Sequence, residues 1–381
     1  MNYHARIREL QRRMEAASID LMFLPITADL SYLTGIARDM PNFGATLYNG
    51  RWMEGAFIGK EGTPIITLPR MTAEFHAPQS EVGEVRVLPD KDDAIAFAKG
   101  VLSNFKVGAQ PSIAIGNFAW AEATVALQNL LPGAIFSNAS DLLRPMRRIK
   151  GEDELAVLRE AGEVTEKAFT EVLKKLKIGM NELEICAEVD LQLRLHGAIG
   201  PSFTTSMYNS GPNHLLGLGH DNQNRTKPLV GPVSLLFDFG AGYNNYCYDY
   251  GRTVFFGEPT AEAIKIHRTI MDSQAAGIAA LKAGSVTCEQ VDRAARKVVE
   301  EAGYGKYFRH RLGHGIGMDV HEPPFLMETD TTPVEEGMCF TIEPSILISG
   351  GFAARVEDII VARPNGGEPL TKGFQELIVV S

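Results

Sequence analysis

The sequence predicts an α+β chain of two unlike domains, and three observations predict it. Its 381 residues exceed one ordinary domain of roughly 100–200 residues. Residues 1–145 alternate helix-like stretches with short apolar runs, the pattern of a smaller α/β unit. Residues 151–381 read helix, helix, strands, and then read the same order again at an offset of roughly 110 residues. The repeat is one of element order, not of residues. It predicts a pseudo-twofold domain with sheets in the middle and helices outside.

In the first unit, Ile7, Leu10 and Met14 recur at helical spacing, and Leu21–Leu24 is a short buried strand. Apolar runs at 56–58, 64–68, 85–88 and 113–115 supply further strands. His4 and His76 stand alone, so this half carries no chemical constellation. The Arg- and Pro-containing segment 143–150 is expected to be a linker with a solvated face.

Beyond it, Leu155, Leu158, Ala161, Thr165, Phe169 and Val172 mark a long amphipathic helix, ended by Gly179. Asn181 with Glu184 is a capping box for the next helix, which stops at Gly197. Strands follow at 233–239 and 246–256. In the second copy a helix spans about 260–283, Thr287 with Gln290 caps the next one, and Gly303 closes it. Strands follow at 339–348 and 355–362.

Thirty-seven basic and 47 acidic residues leave a net charge of −10, which argues against nucleic acid or an anionic membrane as partner. The opening MNYHARIREL lacks the apolar core of a signal peptide, and no run approaches the ~20 apolar residues that cross a bilayer. Four scattered cysteines without a CxxC pair point to reduced thiols and a cytoplasmic location.

The chemistry lies in the strands of the repeat. Folding 233–256 about a four-residue loop, Gly242–Asn245, puts Asp238 opposite Asp249 on one face. Folding 339–362 about the three-residue loop Ser349–Gly351 puts Glu343 opposite Glu357. Like charges opposed in an apolar sheet are destabilising unless protonated or neutralised, and divalent cations are the natural neutraliser. The alternative is strand carboxylates that face solvent or pair with Arg252 and Arg355. His314, in the Gly-flanked run Gly313–Gly317, adds a neutral ligand on a backbone free to approach a bound group. One His with four carboxylates favours Mn²⁺, Fe²⁺ or Co²⁺ over a structural zinc site. Five side chains suffice for two ions only if carboxylates bridge, which leaves room for a bridging water.

These residues resemble the pita-bread metallopeptidases: methionine aminopeptidase, aminopeptidase P, prolidase and their relative creatinase. The matching pieces are Asp238-Phe239-Gly240-Ala241, Asp249 with Arg252-Thr253, Gly313-His314-Gly315-Ile316-Gly317, His321-Glu322-Pro323-Pro324, Thr341-Ile342-Glu343-Pro344 and Arg355-Val356-Glu357-Asp358. Residues 8–24 with Ser31-Tyr32-Leu33-Thr34-Gly35 look like the creatinase-type N-terminal domain of prolidase and aminopeptidase P. The resemblance implies a pita-bread catalytic domain over 151–381 behind a creatinase-type domain over 1–145. It implies two divalent metal ions, Mn²⁺ foremost, with Co²⁺, Fe²⁺ or Zn²⁺ as substitutes. By position, Asp249 and Glu357 would bridge the ions, Asp238 would bind one, and His314 with Glu343 the other. Glu343 would also exchange a proton with the bridging water, which as hydroxide would attack. His321 and His220 would face the substrate, with His214 a less favoured substitute for His220, and Arg355 would orient the carboxylates.

The implied activity is cleavage of an N-terminal Xaa-Pro bond, by an aminopeptidase or dipeptidase that forms a homodimer. The alternative is a metal-dependent hydrolase or lyase of a small non-peptide carboxylate. Two departures bear on the choice. Gly251 stands where such relatives carry a hydroxyl, and Tyr248 and Tyr250 are bulkier than usual beside Asp249.

Overall fold

Alternation of short apolar runs with helical stretches builds the first unit as expected. The computed structural model describes residues 1–38, 47–75, 80–216 and 225–381; His76 and His220 lie outside them. The chain divides into two compact units, Met1–Arg147 and Arg148–Ser381.

In the first unit the elements run α1 (Tyr3–Ala16), β1 (Leu21–Pro25), α2 (Ala28–Thr34), β2 (Gly55–Gly59), β3 (Ile65–Pro69), α3 (Arg70–Phe75), β4 (Glu84–Leu88), α4 (Ala94–Leu102), β5 (Ser112–Ile115), α5 (Ala121–Leu130), β6 (Ile135–Asn138) and α6 (Ser140–Arg147). The six strands form one mixed sheet in the order β4-β3-β2-β1-β5-β6. Strands β1, β2 and β3 are buried along their whole length, as a sheet covered on both faces requires. Leu21, Phe23, Phe57, Ile113 and Leu127 fill one side of it.

The expected linker at 143–150 is not one. Its first half is α6, with Pro145 inside the helix. Arg147 is buried and donates to Asp29 at 2.6 Å. Lys150 is buried too and pairs with Glu322 at 3.1 Å. Partners more than a hundred positions away convert a stretch that reads as solvated into two internal ion pairs.

The second unit runs α7 (Glu152–Lys175), α8 (Glu182–Leu195), β7 (Gly200–Pro201), β8 (Ser206–Ser210), β9 (Val233–Phe239), β10 (Ala241–Tyr243), β11 (Tyr246–Cys247), β12 (Tyr250–Phe256), α9 (Ala261–Ala280), α10 (Cys288–Glu301), β13 (Gly313–Gly315), β14 (Glu322–Leu326), β15 (Cys339–Ile342), β16 (Ser345–Leu347), β17 (Ala353–Arg355), β18 (Asp358–Arg363), β19 (Gly366–Pro369) and β20 (Ile378–Val380). Caps set the helix starts. Asn181 accepts from Glu184 N at 3.0 Å while Glu184 accepts from Asn181 N at 2.9 Å. Gln290 accepts the Thr287 N–H at 2.9 Å. Gly197 and Gly303 follow the helix ends with positive φ, the conformation glycine adopts without strain.

Helices α7 and α8 pack as one pair and α9 and α10 as another. Two main sheets accompany them, β20-β12-β9-β8 and β14-β13-β15-β18-β19. Backbone bonds between Gly251 and Glu357, at 2.9 and 3.2 Å, join the sheets. Phe255, Ile266, Val291, Phe340 and Ile360 belong to the core of the second half. Among the described residues no helix is long and apolar enough to cross a membrane.

Candidate metal centre

Each hairpin of the repeat delivers two carboxylates, in registers that differ in how well they could be foreseen. In the second hairpin Ile342 pairs with Asp358 and Ser345 with Arg355. Glu343 and Glu357 lie between those pairs in the same register, as a three-residue loop at 349–351 requires. In the first hairpin Asp238 pairs with Gly251, two positions from the expected partner Asp249. The turn is shorter than expected. Asn244 and Asn245 both take positive φ, 46° and 69°, and Tyr243 pairs with Tyr246 around them. This is the two-residue hairpin turn whose twist suits antiparallel strands. A shift of two preserves the face, so Asp249 still shares Asp238's side, placed diagonally.

The glycines around His314 also act differently from the expectation. A Cβ at Gly313 would lie 1.9 Å from Thr341 O, and one at Gly315 would lie 2.4 Å from Glu322 O. They let β13 pass close to its neighbouring strands. His314 is thereby buried with Nδ1 donating to Gly315 O at 3.0 Å. That fixes the tautomer and leaves the Nε2 lone pair toward Glu343 Oε1 at 3.4 Å and Asp249 Oδ2 at 3.6 Å.

Donor atoms converge in three overlapping groups, each within 4.8 Å: Asp238, Asp249 and Glu357; His314, Glu343 and Glu357; Asp249, His314 and His321. Three bonds hold the frame. Arg355 donates to Asp238 and, through Nε, to Ser345 Oγ at 2.9 Å. Thr341 Oγ1 donates to Glu343 Oε1 at 3.2 Å. The alternative of arginine pairing is thus realised in part, by Arg355, while Arg252 pairs with Asp358 at 2.7 Å.

One guanidinium does not neutralise four carboxylates. Among the described residues, Asp249 Oδ1 and Glu357 Oε2 are buried and find no hydrogen-bond partner. Burial first, and Asp238 second, pushes the Asp249 carboxyl well above its usual range. Glu357 is pushed well up by burial and then by Asp249 and Glu343. Burial raises Glu343 too, against the pull of Arg355 and His314. Buried, unpartnered oxygens that repel one another are the environment a divalent cation relieves, so the donor set fits such ions.

These residues line a cavity of about 860 Å³, within the range of small-molecule sites. His321 sits at its wall with its ring 3.9 Å from that of His314. Burial of the ring, then His314 and Arg311, push its pKa down to about 4. His310, which the sequence reading did not single out, also lines the cavity. Its Nδ1 donates to Arg311 O at 2.7 Å, and its Nε2 is buried with no partner among the described residues. Burial, then Arg355, holds its pKa down at about 3. Its position four residues before His314 was the available signal.

His214 is not on the cavity. It is buried where Val230 N and O meet its Nε2 at 3.4 and 3.2 Å. Tyr248 and Tyr250 face away as well. The Tyr248 hydroxyl meets Thr371 Oγ1 at 3.0 Å, and Tyr250 packs on Phe169 and Phe239. Their bulk does not narrow the cavity. Gly251 has no room for a side chain, because a Cβ would lie 2.9 Å from that of Glu357 and 3.1 Å from Glu357 Oε2.

Duplicated helix pairs around joined sheets, with carboxylates and a histidine converging at the junction, define a metallopeptidase of the pita-bread type. Residues 156–364 match the model of metallopeptidase family M24, and residues 6–149 match the creatinase/prolidase N-terminal domain. The chain is 32% identical over 375 residues to an Xaa-Pro dipeptidase of Lactobacillus delbrueckii subsp. lactis, covering 98% of each chain. It resembles the crystal structure of a dipeptidase from Pyrococcus horikoshii, with a TM-score of 0.85, 27% identity, and coverage of 98% of this chain and 100% of that one. An X-Pro aminopeptidase from Thermotoga maritima gives 0.81 at 28% identity, over 97% and 100%. The chain belongs to metallopeptidase family M24: it is a peptidase, and the family implies divalent metal ions.

Proposed function

We propose that this enzyme hydrolyses the Xaa-Pro bond at the N-terminus of short peptides, with two divalent ions, Mn²⁺ foremost, held by Asp238, Asp249, His314, Glu343 and Glu357. The observation that carries the reading is the pair of orphaned oxygens, Asp249 Oδ1 and Glu357 Oε2, inside three overlapping donor groups. Asp249, Glu357 and His314 each belong to two of those groups; of these three only the two carboxylates have two oxygens to share, which supports Asp249 and Glu357 as the residues common to both ions. Such ions supply an acidified water as nucleophile and a positive anchor for the substrate carbonyl oxygen.

The remaining steps belong to side chains. Glu343 takes the proton from the attacking water and returns it to the proline nitrogen as the C–N bond breaks. Arg311 Nη2 lies 3.3 Å from His321 Nδ1, so it donates there and leaves the His321 proton on Nε2. A neutral His321 is a donor for the oxyanion of the tetrahedral intermediate. His314 keeps its lone pair aimed by the bond to Gly315 O. The names of the relatives, Xaa-Pro dipeptidase and X-Pro aminopeptidase, support this substrate class over a non-peptide carboxylate.

The test is a panel of Xaa-Pro dipeptides, longer Xaa-Pro peptides and non-proline controls, assayed with Mn²⁺ or Co²⁺ while metal is measured in the same sample. Turnover of Xaa-Pro peptides, and its loss in Asp249→Ala, is expected. Metal-loaded protein that cleaves none of them would overturn the reading.

Arg355 supports the site from outside the donor set. Arg355→Ala is expected to weaken metal binding or activity about 10–100-fold, read by calorimetric metal titration. Unchanged affinity and unchanged activity would remove Arg355 from this role.

A further inference from the structure

His321 is the last residue of the connection between β13 and β14, and it is exposed where it meets the cavity. Dense packing therefore does not place its ring, and the backbone on either side has to. The residue after it points the other way, as neighbours on a strand do. Glu322 and Lys150 are buried away from the cavity, with side chains 8% and 2% exposed. Lys150 Nζ donates to Glu322 Oε2 at 3.1 Å, and Glu322 Oε1 accepts the Asp319 N–H at 3.0 Å. One carboxylate thus ties the connection to a lysine 172 positions earlier.

Both ends of this tie are anchored. Lys150 N donates to Gly337 O at 2.9 Å. Glu322 pairs with Gly315, where the register of β13 on β14 shifts beside His314. Between the two, the lysine stem crosses Gly317, at which a Cβ would lie 2.9 Å from Lys150 Cε and 3.1 Å from both Lys150 Nζ and Glu322 Oε1. Gly317 O in turn accepts from Cys247 N at 2.8 Å, so β11 also holds the connection. Stability does not require the charges. Desolvating two buried ions costs about as much as their attraction returns, and a neutral pair of like size often serves as well. What a satisfied buried polar network adds is a single fixed arrangement.

We propose that the buried pair Lys150–Glu322, closed over Gly317, is a clamp that places His321 at the reacting centre. Lys150 is then a positioning residue, acting on the reaction only through His321. The inference rests on the reading of His321 as donor to the oxyanion and names what holds that donor in place.

The experiment compares Lys150→Met, the neutral double variant Lys150→Met with Glu322→Gln, and Gly317→Ala, each with His321 present and in a His321→Ala background. The double variant leaves no uncompensated buried charge. In Gly317→Ala the new methyl meets the flexible ends of two side chains and displaces them without removing either charge. With His321 present, kcat of the Mn²⁺ enzyme on an Xaa-Pro dipeptide should fall about 10–100-fold, the cost of a misplaced group, with KM and metal content near wild type. In the His321→Ala background the same changes should cost less than about twofold, because the group they position is gone. Equal losses in both backgrounds, or a double variant with wild-type kcat, overturn the inference. A His321→Ala protein as active as wild type overturns it too. NMR of the metal-free protein labelled at histidine provides a readout without turnover. The His321 ring signal, identified by its absence in His321→Ala, should move in every clamp variant while that of His214 stays. A His321 signal that never moves overturns the inference. A wild type that cleaves no Xaa-Pro peptide, yet whose His321 signal moves with the clamp, overturns the peptidase reading and leaves the positioning role standing.

Discussion

Replacing Glu343 by Gln is expected to lower kcat by about 10²–10⁴-fold, the range for removal of a positioned proton carrier. Gln keeps the shape and the acceptor that Thr341 Oγ1 reaches at 3.2 Å. It removes the negative charge beside His314 Nε2 and the ability to exchange a proton. KM should change little, because Glu343 acts on the water and the leaving nitrogen and not on the ends of the peptide. Metal content must be measured alongside, since Glu343 is also in the proposed donor set. A variant that holds its metal and turns over like wild type would exclude Glu343 as the proton carrier. A loss matched by missing metal would assign it to metal binding alone.

Removing the metal should destabilise the protein, and more so at higher pH. Without cations Asp249, Glu343 and Glu357 have carboxyl groups raised above their usual range, by burial first and by each other second. A group whose folded pKa is raised lends stability that is fully present below its unfolded pKa of about 4, and that is lost as pH rises through the folded value. The chelated protein should therefore suffer most where all three must ionise. The metal-loaded protein should not, because the ions stabilise the ionised form. With free ion at about 1,000 times Kd the added stability is about 4 kcal/mol, on the order of 10 °C in Tm for a unit of this size. Thermal melts with and without chelator at pH 8 and pH 5 check this, and the gap should be wider at pH 8. Using the gap cancels acidic groups elsewhere, such as Glu9, whose pKa Arg12 and Arg13 lower to about 2. A gap that is absent, or that widens toward acid, would count against a cation in this cluster.

What could be read in advance depended on how local each cause is. Capping at Asn181 and Glu184 lies within one helical turn and was visible. The register of the Glu343–Glu357 hairpin follows from one three-residue loop and was visible too. The Asp238–Asp249 hairpin was misjudged by two positions, because a run of Gly, Tyr and two Asn permits a four-residue or a two-residue turn. Only the positive φ of both Asn residues decides between them. The face survived the error, since side chains alternate with a period of two.

Long-range causes were not legible. Lys150 and Arg147 read as solvated until Glu322 and Asp29 are placed beside them. The missing side chain at Gly251 reads as a lost hydroxyl, whereas the structure shows the Glu357 side chain occupying that space. The one signal for His310, its place four residues before His314, gains meaning only when a cavity forms against both rings.

The sheet that holds Asp238 is completed by β20, whose residues 378–380 pair with Val254, Phe255 and Phe256. During synthesis the first carboxylate therefore emerges well before the strand that finishes its sheet. At about 5–20 residues per second the interval is roughly 10–30 s. Through much of it His314, Glu343 and Glu357 do not yet exist, so the donor set proposed for the ions is incomplete. On the proposed donor set, a metal site of this order is assembled only after most of the second unit has been made.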